Sequence, residues 1–205
     1  MGACAYILAS SGDKRVLAAL LFLSVKELIQ FINYRHTATC SPVNRALTSL
    51  SWIHISFQPF FINLLISAFS DTPQYYTPIL YMCLVYAFFN SLRLKEVRGK
   101  ITLPCADTSP LSSACRKETC SINGKYHLAY GFELESADST LVPSMFSYYL
   151  LTIVPALVIG DYLIVAINSL VMLASFALAR HDMGEAAAIW CLNSFWMAAL
   201  AFWKK

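Results

Sequence analysis

Glu27, Gln30, His54, Gln58, His127 and Glu185 are the side chains whose types and spacing could do chemistry. A carboxylate beside an imidazole can pass a proton, because histidine titrates near neutral pH. Glu27 with His54 is therefore the first pair to consider. The same groups could hold a divalent metal: His54, Glu27, Glu185 and His127, with His181 as a further imidazole, form a mixed nitrogen and oxygen set of the kind zinc accepts. Gln30 and Gln58 would complete a polar pocket by offering amides to a bound solute.

Known signatures narrow these options. There is no His-Glu-x-x-His, and in HDMGE (His181–Glu185) the i, i+4 spacing ligates only on a helix. Membrane-embedded metal-dependent amidases carry a Ser-x-x-x-His element. Here Ser51 precedes His54 by three positions rather than four, and the last apolar run has Glu185 in place of a second histidine. No G-x-S-x-G elbow and no Gly-rich phosphate loop occurs. A retinal Schiff base would need a lysine in the last span, which has none before Lys204 and Lys205.

The elements that must position these groups follow from composition. Of 205 residues 58% are hydrophobic and 13% charged, and mean hydropathy is +0.56, whereas soluble domains carry about 25% charged residues. Too little polar surface remains to cover a soluble globule. Apolar runs of spanning length lie at about 16–34, 46–69, 74–94, 142–159, 162–179 and 184–203. They are continuous and lack period-2 alternation, so helices are expected rather than a barrel. The expected fold is an all-α integral membrane bundle of six transmembrane helices, one domain over 1–205, with short links at Ser70–Pro73, Gly160–Asp161 and Arg180–Met183. Its one long connection, 95–141, is polar and reads as a cap outside the membrane. Within that cap, Lys125–Leu134 is the stretch suited to a short hairpin or interfacial segment. At the N-terminus, MGACAY has tyrosine where a myristoylation signal needs Ser or Thr, and no cleavable signal pattern follows.

Counting from the link between the first two helices places Glu27 and His54 at about 10–12 Å from the same face, at 1.5 Å per residue. Glu27, Gln30 and Tyr34 share one helical stripe, and Ser51, His54 and Gln58 another. A charge turned to lipid costs about 2.5–3.5 kcal/mol, so the stripes are expected to face each other. Lys26 either neutralises Glu27 locally or snorkels. Pro59 frees the carbonyl of Ile55. Asn90, Ser91, Arg93, Ser144, Ser147, Tyr148, Ser175 and Glu185 lie toward the same side, with Asn63 and Asn168 as deeper exceptions. Together these describe a vestibule open to one side, whose polar groups either serve a function or merely bond helices together at about 0.6–2 kcal/mol each.

Orientation signals conflict. Arg35, Arg45, Arg93, Lys95, Arg98, Lys100 and Arg180 flank the vestibule side, which the positive-inside rule puts in the cytosol. Cys40, Cys105, Cys115 and Cys120 on that side would form two disulfides in an oxidising lumen, or a zinc site of unfamiliar spacing. The disulfide reading is preferred, which puts the loops between helices 1–2, 3–4 and 5–6 in a lumenal or extracellular space. Cys83 and Cys191 read as inert span residues. Net charge is +3, with basic residues beside membrane ends, so the expected partners are the lipid bilayer and further copies of the chain, with no nucleic acid.

At ELIQ (Glu27–Gln30), WIHISFQP (Trp52–Pro59), KYHLAY (Lys125–Tyr130), VPSM (Val142–Met145) and GEAAAIWC (Gly184–Cys191), the chain resembles an uncharacterised family of polytopic membrane proteins scattered among large DNA viruses, algae and microbes. The resemblance implies that these five stretches are the family's shared elements, and it implies no activity. Three functions remain open: a transporter or channel-like protein for a small polar solute, ion or proton; a membrane-embedded, metal-dependent hydrolase acting on lipid; and a structural or assembly protein.

Overall fold

A computed structural model describes residues 13–94, 119–132, 145–179, 183–191 and 196. Six helices occur among them: α1 (Lys14–Asn33), α2 (Pro42–Ser67), α3 (Tyr76–Ser91), α4 (Met145–Ile159), α5 (Tyr162–Ala179) and α6 (Met183–Trp190). An antiparallel hairpin, β1 (Cys120–Asn123) and β2 (Leu128–Gly131), lies between α3 and α4 in sequence. Three stretches, Lys14–His36, Pro42–Ser67 and Tyr162–Ala179, are long and apolar enough to cross a membrane. The apolar stretch Ser147–Ile159 is shorter, and most of the expected sixth span, from 192 onward, lies outside the described residues apart from Trp196.

Local signals explain the helix ends. The Asp13 side chain accepts from the Arg15 N–H at 2.8 Å and caps α1. Ser41 caps α2 with Pro42 in its first turn, so α2 begins four residues before the expected boundary at 46. At the end of α4, Gly160 takes φ +91°. Its N–H donates to Leu157 and that of Asp161 to Ala156, a Schellman stop that turns the chain into α5.

α2 is the central rod and packs against α1, α3, α4 and β1. Two larger apolar clusters form against it, and a third, small one joins Ala179 of α5 to Ala186 and Ile189 of α6. Val16, Ala19 and Leu20 of α1 meet Ile62, Leu65 and Ile66 of α2, with Tyr76, Ala156 and Ile164 around them. This end is aliphatic, and its polar contacts sit at the rim: Arg15 donates to the Ser67 carbonyl, and Tyr76 to Asp161. The other large cluster is aromatic and gathers Trp52, Tyr86, Tyr130, Phe132, Tyr148 and Trp190.

Between them, Asn63 bridges two helices. Its Nδ2 donates to the Leu151 carbonyl at 2.8 Å, an acceptor left without its helical donor because Pro155 has no N–H. The proline defect in α4 is thus repaired from α2.

The hairpin departs from the expected surface cap. Only its second strand falls in the Lys125–Leu134 stretch; the first is Cys120–Asn123. All four residues of β2 are buried, so the hairpin is seated in the bundle instead of lying over it. Cys40 and Cys120 form a disulfide that ties the hairpin to the α1–α2 link, with Cα atoms 5.7 Å apart. Cys105, Cys115 and His181 lie outside the described residues.

Candidate functional site

Seating the hairpin requires two close approaches. A Cβ on Gly184 would stand 2.1 Å from the Tyr130 carbonyl oxygen, and one on Gly124 would stand 2.5 Å from the His127 carbonyl oxygen. Glycine lets the α6 backbone meet β2 and lets the turn close. The Glu185 carboxylate then accepts the backbone N–H groups of Tyr126 and His127, the latter at 2.9 Å. Asn44 holds the other strand as a peptide group would. Its Nδ2 donates to the Ser121 carbonyl at 2.8 Å, and its Oδ1 accepts the Ser121 N–H at 2.9 Å. These anchors deliver Tyr130 and Phe132 to the aromatic cluster.

Beneath the hairpin the polar side chains of α1 differ in phase from the expectation. The buried stripe runs Val16, Ala19, Leu20, Leu23, Lys26, Ile29, Gln30, Asn33. It contains Lys26 and Asn33 where Glu27 and Tyr34 were expected, and Tyr34 is 44% exposed. On α2, Ser51, His54 and Gln58 share the buried face.

Glu27 and His54 do not pair. The His54 imidazole donates from Nε2 to the Phe22 carbonyl at 2.8 Å and stacks on the Phe22 ring. Phe22 and Glu27 are five residues apart, about 140° around the helix, so the face that meets His54 is not the face that carries Glu27. Glu27 is half-buried, and its Oε1 has no hydrogen-bond partner.

The candidate metal ligands are not brought together either. Among the described residues no three His, Cys, Asp or Glu side chains come together to hold an ion. The Glu185 carboxylate is engaged by the hairpin turn, and His127 Nδ1 accepts the Leu128 N–H at 2.8 Å. Burial holds the His127 imidazole below its ordinary value, with Lys26 acting in the same direction and Glu185 opposing it.

What assembles instead is a cluster around Lys26. This lysine is 1% exposed, its Nζ has no hydrogen-bond partner, and it lies 4.3 Å from the centre of the Tyr130 ring. The Tyr130 hydroxyl faces Gln30 and Ser51 without closing a hydrogen bond to either. Gln30 Nε2 donates to the Ala188 carbonyl of α6 at 3.4 Å, which leaves its Oε1 unpartnered. Both side-chain atoms of Asn33 are also buried and unpartnered.

Around this core several polar groups pair with one another. Tyr148 donates to Gln58 Oε1 at 2.7 Å and accepts from Trp190 Nε1. Gln58 Nε2 lies 3.5 Å from the Cys191 sulfur. A buried ammonium costs several kcal/mol after relaxation, and a desolvated aromatic face returns about 2.

Sequence reasoning missed Lys26, Asn33 and Tyr130. The signal for the first two was present: Lys26, Gln30 and Asn33 fall at i, i+4 and i+7, a helical face equal in quality to the one through Glu27. Four of the five stretches that carry the resemblance meet here. ELIQ reaches GEAAAIWC through Gln30 and Ala188, WIHISFQP reaches it through Gln58 and Cys191, and KYHLAY is held by Glu185. Of VPSM, residues 142–144 lie outside the described residues.

No curated protein and no solved structure matches the chain. A family of unknown function (DUF5765) matches residues 1–204, and the chain belongs to that family.

Proposed function

We propose that this chain is a six-span integral membrane protein that binds a small polar solute or ion at the Lys26 cluster and carries it across the bilayer. One observation carries the reading: unpartnered buried polar atoms gather on Lys26, Gln30, Asn33, Ser51 and Tyr130 at one end of the bundle, under a seated hairpin. By comparison, Asn44 is fully engaged, while Asn63 and His54 each leave a single atom open and bond through the other. A cluster that leaves both donors and acceptors open is suited to a cargo that enters and leaves.

The lipid bilayer is the proposed partner of the outer faces. Support comes from the large apolar side chains left exposed along the helices, among them Tyr81, Val85, Phe88, Val158, Leu170 and Leu173. The Cys40–Cys120 disulfide favours a lumenal or extracellular position for the hairpin end. Kinship with membrane proteins of large DNA viruses, algae and microbes belongs to the same proposal, supported by the meeting of four shared stretches at one cluster.

The test is osmotic swelling of liposomes carrying the purified protein, with urea, glycerol, glycine and sodium acetate as solutes. At least one should enter faster than into protein-free vesicles, and Lys26→Met should slow that entry about tenfold, as for loss of one charged contact. Rates equal to those of empty vesicles for all four would end the transport reading and favour a structural or assembly role.

A further inference from the structure

We infer that the Lys26 cluster is a binding site for a small monovalent oxyanion that also carries a hydroxyl, the chemistry shared by bicarbonate and a short 2-hydroxycarboxylate. The inference rests on the cluster's reading as a solute site and adds the class of solute.

The charge follows from Lys26. It is the one fully buried ammonium among the described residues, and it makes no ion pair among them. Glu27, its half-buried neighbour in sequence, attracts the ammonium through its charge but makes no hydrogen bond to it, so the Nζ keeps its donors open. An anion of one charge balances one ammonium. The oxygen chemistry follows from the neighbours. The Ser51 and Tyr130 hydroxyls and Gln30 Oε1 are set against one another without well-formed hydrogen bonds, so a ligand entering among them meets two donors and an acceptor, more than a halide uses. A carboxylate with an adjacent hydroxyl meets both requirements at once.

The size follows from closure. Lys26 lies against the Tyr130 ring, β2 is buried along its whole length, and Phe132 and Trp52 pack behind it with tilted rings, their centres 4.7 Å apart. An acyl chain or a nucleotide does not fit such surroundings.

The test uses the full chain in nanodiscs of neutral lipid, melted while sodium glycolate, sodium bicarbonate, sodium acetate or sodium chloride is added at constant ionic strength. A ligand that binds the folded state raises the melting temperature with its concentration. Glycolate or bicarbonate should stabilise most, acetate less and chloride least, and the two leading anions identify which source the site prefers. Lys26→Met should weaken the best anion about a hundredfold, and Tyr130→Phe, which keeps the ring, about tenfold or less.

Equal stabilisation by all four salts, or the same stabilisation in Lys26→Met, would overturn the site. If Lys26→Met does not fold, Ser51→Ala and Tyr130→Phe decide, since unchanged anion affinity in both would overturn it too. The transport reading separates cleanly from this one. Glycolate binding without flux of any solute keeps the site and sinks transport, while flux that persists in Lys26→Met without anion binding does the reverse.

Discussion

The two halves of α1 present one continuous buried stripe to two different environments. Val16, Ala19 and Leu20 meet Ile62, Leu65 and Ile66 with no polar atom among their side chains. Lys26, Gln30 and Asn33 continue the stripe and meet amides, hydroxyls and a buried hairpin. In the first half, burial of apolar surface is sufficient to hold the helices together. In the second, part of that stabilisation is given up to keep polar atoms open, and the hairpin with its anchors makes up the loss. The lesson is that a dry end can act as the fixed frame on which a polar end is held ready.

Predictions that break or sharpen this contrast begin with the hairpin seat. Gly184→Val should cost about 3 kcal/mol or more, because a side chain there collides with the Tyr130 backbone, which cannot swing aside. Thermal melting measures it; a variant as stable as the parent would mean that α6 does not carry the hairpin.

A matched pair of substitutions compares the halves directly. Leu65→Ala in the aliphatic end should lose about 3 kcal/mol through its cavity. Lys26→Met at the polar end should be neutral or gain about 1 kcal/mol, since a well-packed apolar side chain replaces an uncompensated buried charge. Equal losses at both positions in chemical denaturation would erase the distinction.

Glu185→Gln keeps the shape of the hairpin anchor but removes its charge, and should cost about 1–2 kcal/mol. The loss should appear as faster amide exchange at Tyr126 and His127, with exchange in α1 between 16 and 23 unchanged. Uniform acceleration along the chain would show that hairpin and frame unfold as one unit.

The smallest effect concerns pH. His127 has its imidazole held below the ordinary 6.5 by burial, with Lys26 in the same sense and Glu185 opposing, and its Nδ1 accepts a hydrogen bond that a protonated ring could not accept. The folded state therefore binds this proton less readily than the unfolded chain. Its contribution is complete above pH 6.5 and is lost as pH falls below that value. Hairpin protection factors, with exchange rates normalised to the intrinsic rate at each pH, should fall between about pH 7 and about pH 5, and His127→Gln should flatten that slope. A slope of opposite sign would show that the ring gains a partner on protonation.

Much of this was legible in the residues. The low charge content announced an apolar, helical chain, and α5 falls at the expected Tyr162–Ala179. The polar stripe on α2 through Ser51, His54 and Gln58 could be read from spacing, because those residues fall at i, i+3 and i+7 on one helical face. The stripe on α1 was ambiguous. Lys26 and Glu27 are neighbours with equal claims to the interior, and helical period alone cannot choose between phases that differ by one residue. The expected Glu27–His54 contact failed on that choice, and among the described residues the four candidate metal ligands are not brought together.

By itself, then, the sequence determined the solvent-averse composition, the helical period and the crowding of polar residues toward one end, all of which are sums or repeats over near neighbours. Tertiary structure alone decided that Lys26 turns inward, that Glu185 serves the hairpin, and that Tyr130 stands over the ammonium. Those outcomes depend on contacts between residues scores of positions apart, whose energies exist only once α1, α2, the hairpin and α6 are in place together.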